Sequence, residues 1–136
     1  MVQLICGPKG SGKTKRLLDM ANAEIGVTNG DVVFIDDDKR YMYDVKRQIR
    51  FVDVTEYHVD NEDKLFGFLS GILSSNFDIT AIYLDALLHI IGKKPCEMEN
   101  FFRQIIDIMD KHSVKLVLNV SSAIDALPEF MKTFVV

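Results

Sequence analysis

Gly7-Pro8-Lys9-Gly10-Ser11-Gly12-Lys13-Thr14, directly after the apolar run Val2-Gln3-Leu4-Ile5-Cys6, decides how this chain is read. The octapeptide fits the spacing G-x-x-x-x-G-K-[ST] at every fixed position. A backbone that wraps closely around a polyphosphate needs positive φ and room where a Cβ would stand, and Gly7, Gly10 and Gly12 supply both. Successive amides then point inward, and the N-terminus of the following helix adds about half a positive charge to the same spot. In this reading Lys13 reaches the β- and γ-phosphates, and Thr14 is the protein ligand of a Mg²⁺ that bridges them. Pro8, Lys9, Ser11 and Lys15 complete the stretch expected to touch the nucleotide.

Both flanks support the motif. A β-like run precedes it, and from Thr14 to Ile25 the residues Leu17, Leu18, Ala21 and Ile25 recur at helical spacing, with Gly26 as a stop. Beyond that helix the chain alternates. Asp31 to Asp36 carries the continuous apolar run Val32-Val33-Phe34-Ile35, as a strand buried on both faces does. The pattern predicts a short helix near 38–48, a strand at 51–54 and a helix over Asn61 to Ser75. It then predicts a strand at 79–84, a helix over 97–111, a strand at 114–120 and a last strand at 134–136. This alternation predicts an α/β three-layer sandwich with a mainly parallel sheet of five or six strands and right-handed crossovers. Ligands in such folds gather at the carboxyl ends of the strands. Three polar groups fall there: the phosphate loop, Asp85 after the strand 79–84, and Asn119-Val120-Ser121-Ser122 after the strand 114–120.

Asp85 closes the apolar stretch Ile79-Thr80-Ala81-Ile82-Tyr83-Leu84. A carboxylate at such a strand end suits Mg²⁺, which keeps several waters and is positioned by one or two carboxylates plus phosphate oxygens. With the loop and this strand in place, the chain resembles the P-loop NTPase superfamily, and more narrowly its RecA-like branch. The resemblance implies that the strand 114–120 lies between the loop strand and the strand bearing Asp85, with any terminal strand on the outer side of the loop strand. It also implies catalytic roles for Lys13 and Asp85, metal ligation by Thr14 and Asp85, and a γ-phosphate-sensing or water-orienting position for Asn119. The start of the chain is similar to type II thymidine kinases in Cys6-Gly7-Pro8 and in Asp36-Asp37-Asp38-Lys39-Arg40-Tyr41. Two departures separate it from them: the residue after Asp85 is Ala86 rather than the carboxylate base, and the zinc-bearing cysteines are absent. Thymidine kinase activity is therefore not expected.

Ala86 has a wider consequence, because an attacking water or hydroxyl generally needs a base or orienting group. Hydrolysis is expected to be slow or dependent on a partner. Asp36, Asp37 or Asp38 substitutes only if one faces the γ-phosphate; the bland reading is a helix cap in a solvated acidic turn. Arg16, Arg40 and Arg103 are not distinguished by sequence. His58, His89 and His112 lie in different elements, have no ligand spacing and receive no role.

The 136 residues fit one domain, here a single nucleotide-binding domain over residues 1–136, and an apolar fraction of 48% with 26% charged residues excludes disorder. Two cysteines, Cys6 and Cys96, are too few for a disulfide framework, and a reducing cytoplasmic setting is expected. Neither a signal peptide nor a membrane span is expected. The net charge of −4 argues against a general nucleic-acid footprint. The basic stretch Lys39, Arg40, Lys46, Arg47 and Arg50 is offset by neighbouring aspartates and reads as a solvated helix face. The expected ligands are ATP and Mg²⁺, with ATP ahead of GTP because no Asn-Lys-x-Asp motif is present. Two functions stay open: an ATP-dependent NTPase or small-molecule kinase, and a nucleotide-dependent regulatory module that acts on a protein partner or a second copy.

Overall fold

A computed structural model describes all residues 1–136. Five strands form one parallel sheet: β1 (Val2–Gly7), β2 (Asp31–Asp36), β3 (Ile49–Asp53), β4 (Ile79–Leu84) and β5 (Lys115–Ser121). Their order is β1-β5-β4-β2-β3, so β5 is inserted between the loop strand and the Asp85 strand, as expected. The terminal strand is reduced to a parallel bridge between Leu4 and Val135 on the outer side of β1, where the Leu4 amide donates to the Phe134 carbonyl at 2.8 Å.

Side chains of the strands alternate between two cores. Val33, Ile35, Ile82, Leu84, Leu116 and Leu118 point to one face. There they meet α2 (Glu62–Ser75), α3 (Leu87–Ile91), α4 (Glu99–His112) and the short α5 (Glu129–Lys132). Val32, Phe34, Tyr83 and Val117 point to the other face, covered by Leu17, Leu18 and Ala21 of α1 (Lys13–Glu24) with Tyr41 and Val45 of the following loop. The three inner strands β5, β4 and β2 are thus apolar on both faces, which is why each carries an uninterrupted apolar stretch in sequence. No helix is long and apolar enough to cross a membrane.

Three elements differ from the sequence reading. The helix near 38–48 does not form; only a single 3₁₀ turn, Met42–Asp44, is helical. Side chains take over the backbone groups a helix would use. Asp38 Oδ1 accepts the Arg40 amide at 2.8 Å, and Asn22 on α1 both donates to the Asp44 carbonyl and accepts from the Lys46 amide. Hence Lys46, Arg47 and Arg50 are not on a helix face: the first two lie in the loop before β3 and Arg50 is on β3 itself. The short helices α3 and α5 were not expected, being too brief to display a period.

Candidate active site: two strand ends and a glycine loop

The site forms where β1, β5, β4 and β2 end side by side. Between β1 and α1 the loop closes on itself: the Pro8 carbonyl accepts the Ser11 amide at 3.3 Å, the Ser11 hydroxyl at 2.6 Å and the Lys13 ammonium at 2.9 Å. Gly12 caps α1 in the left-handed region (φ 84°, ψ 15°), a conformation that would strain any residue with a Cβ. Gly7 is closed to a side chain for a second reason, since a Cβ there would stand 2.8 Å from Ser11 Oγ. In α1 the Arg16 amide is the first to find a helical partner, the Gly12 carbonyl at 3.1 Å. The amides of Lys13, Thr14 and Lys15 therefore lie free at the helix's positive end.

Thr14, on the first turn of α1, donates its hydroxyl to Asp85 Oδ2 at 3.0 Å across 71 residues of sequence. Asp85 is buried at the end of β4. Its other oxygen, Oδ1, accepts the Asn119 amide group at 2.8 Å and the Ala86 backbone amide at 2.8 Å. Ala86 makes that bond from the left-handed region (φ 59°, ψ 36°). Asn119 on β5 thus orients Asp85 first. Because its NH₂ group faces that carboxylate, its own Oδ1 is left buried without a partner.

Across the cleft, Asp36 ends β2, beside β4 in the sheet and paired in register with Asp53 of β3. It is 2% exposed, so the solvated-turn reading fails for this residue. Burial pushes its carboxyl up to about 8; the Asp37 amide, bonded to Asp36 Oδ1, opposes this, and the Asp85 charge adds to it. Asp36 Oδ2 has no donor. Asp37 pairs with His89 of α3, which gives that histidine a partner the sequence did not indicate. Asp38 holds the Arg40 amide and faces the Arg40 guanidinium at 4.0 Å.

These groups enclose an open cleft of about 1420 Å³, running from Lys9, Gly10 and Gly12 past Lys13, Thr14, Asp85 and Asn119 to Asp36, Arg40, Tyr41 and Asp44. Of the expected contact residues, Lys9, Gly10, Gly12, Lys13, Thr14, Lys15, Asp85 and Asn119 line it. Gly7, Pro8 and Ser11 do not line it, and Lys15 also pairs with Asp19 at 2.8 Å. Arg16 and Arg103 do not line the cleft. The sequence named Asp36 only as one of three interchangeable acids, and it missed the Asp37–His89 pair. The available signal for Asp36 was its place as the first polar residue after four apolar ones in a strand with neighbours on both sides.

The donor set accommodates Mg²⁺. Thr14 and Asp85 offer adjacent hard oxygens, the number of protein ligands that ion usually takes. Asn119 Oδ1, buried beside Asp85 without a partner, suits a proton of metal-bound water. No protein-family model matches the chain, and no curated protein matches it.

Proposed function

We propose that this chain binds a Mg²⁺-complexed nucleoside triphosphate, ATP by preference, along the cleft from the phosphate loop to Asp85, and hydrolyses it slowly or only with a partner. The contact of Thr14 with Asp85 at 3.0 Å carries this reading, because it joins the loop to the one strand end where a metal-holding carboxylate is expected. The free amides of α1 would bind phosphate oxygens, aided by the helix dipole. Lys13 would exchange its bond to the Pro8 carbonyl for a charge-assisted one to phosphate. Mg²⁺, when bound, supplies charge neutralisation across the β- and γ-phosphates.

Slow chemistry follows from the acids in the site. Position 86 has no carboxylate, and Asp36, the buried acid facing the same cleft, keeps its proton up to about pH 8. A protonated carboxyl does not accept another proton, so base catalysis is weak in the isolated protein. Phosphoryl transfer to a small acceptor is the second reading. A cleft of about 1420 Å³ exceeds the roughly 300–1,000 Å³ common for one small ligand and leaves room beside Tyr41 for an acceptor.

Calorimetry tests the first reading. ATP with Mg²⁺ is expected to bind in the micromolar range, and Thr14→Val to weaken it about tenfold with Mg²⁺ but little without it. No binding up to millimolar nucleotide would overturn the assignment. Steady phosphate release at about ten per second would overturn the slow-hydrolysis part.

A further inference from the structure

We propose a second cation site in the same cleft, built by Asp36, Asp37 and Asp38 where β2 ends, which takes a hard divalent ion of the Mg²⁺ or Mn²⁺ class. Each residue offers one carboxylate oxygen, and these oxygens lie within 4.8 Å of one another. An ion bound at about 2.1 Å spaces its ligands roughly 3 to 4 Å apart, so small side-chain rotations bring the three into one shell. An independent observation indicates that a ligand belongs there. Asp36, 2% exposed and among the residues lining the cleft, keeps its Oδ2 buried with no hydrogen-bond partner, and once ionised such an oxygen requires a donor or a cation, which here would take the place of the proton.

No protein group supplies it. Lys39 is turned away to Asp53 and Glu56, His89 is engaged with Asp37, and Arg40 sits 4.0 Å from Asp38 Oδ2. Those pairings hold the turn in place and leave Asp36 alone without a basic partner. The site is distinct from the Thr14–Asp85 pair, since it shares no residue with it and draws all three oxygens from the end of β2. It does not rest on nucleotide binding, because the carboxylates are grouped in the free protein. A hard ion suits the purely oxygen donor set and leaves positions for water.

The test is a Mn²⁺ titration of the nucleotide-free full chain, with free ion counted by its electron paramagnetic resonance signal. One Mn²⁺ per chain is expected, with a dissociation constant below about 1 mM, the weak end of carboxylate sites. Asp36→Asn and Asp37→Asn are each expected to weaken it at least about tenfold, or about 1.4 kcal/mol, with far-ultraviolet circular dichroism unchanged, whereas Thr14→Val leaves it intact. Should Asp36→Asn misfold, the half-buried Asp37→Asn decides. The proposal is overturned if no Mn²⁺ binds at about 1 mM, if both Asn variants bind as wild type, or if Thr14→Val abolishes binding. Failure of ATP to bind would leave the Mn²⁺ count as it is, so the two readings fail separately.

Discussion

At the end of β1 the wall of the cleft is made of backbone, whereas at the end of β2 it is made of carboxylates. The first wall works through amides freed by the left-handed Gly12 and through the dipole of α1, so it favours anions and tolerates water. The second works through Asp36, Asp37 and Asp38, one of them buried without a donor, so it disfavours anions and is costly to keep dry. One cleft with walls of opposite sign suits a ligand that brings both phosphate and metal. The difference also shows where each wall's strength is stored. A backbone wall survives most side-chain changes, whereas a carboxylate wall is altered by a single proton.

The largest effect that separates the two walls is expected at Lys13, the one buried cation of the loop. Lys13→Ala removes a charged hydrogen-bond donor worth about 1.5–3 kcal/mol and is expected to weaken Mg²⁺-ATP about 10- to 100-fold by calorimetry. Its thermal midpoint should hardly move, because in the free protein the ammonium bonds only to the Pro8 carbonyl. A large loss of stability would show that the loop depends on that side chain and not on backbone alone.

The other wall is expected to respond to pH. The folded Asp36 carboxyl titrates at about 8 against an ordinary 3.8, so between those values the native protein holds a proton that the unfolded chain has released. Stability then falls as pH rises from about 4 towards 8. In chelator-treated protein, Asp36→Asn should flatten this decline, raising the midpoint by a few degrees at pH 8 and little at pH 4 in thermal scans. Parallel curves for the two proteins would mean that Asp36 is not the group whose charge is costly. The smallest effect concerns Ala86. Glycine there relieves roughly 1 kcal/mol of left-handed strain but adds about 0.4–1 kcal/mol of unfolded-chain entropy, so Ala86→Gly should change stability by less than about 1 kcal/mol in urea titrations. Ala86→Val, branched at Cβ, should lower it measurably.

The same two walls differed in how far the sequence disclosed them. The loop's shape was readable because it is local: its glycines, lysine and threonine stand at neighbouring positions, and the apolar runs that mark the strands are equally local, whereas the strand order was expected from the family resemblance. Asp85 was readable because it closes such a run. Asp36, Asp37 and Asp38 are chemically identical in sequence, and only the placement of β4 and β3 on either side of β2 buries the first and leaves the others partly open. The loop over 38–48 misled for a related reason. Asn22, some twenty residues earlier, satisfies the Asp44 carbonyl and the Lys46 amide, and no local periodicity reports a partner that distant.

The uneven covering of the sheet has a consequence of its own. One face lies under four helices, while Phe34, Tyr83 and Val117 on the other are roofed by α1 and two side chains of the loop after β2. The helix that presents Lys13 and Thr14 is therefore also the cover of the smaller core. Its amides and those of the β2–β3 edge should exchange with solvent as one unit, below the cost of global unfolding, and a ligand that pins the N-terminus of α1 should slow exchange in both together.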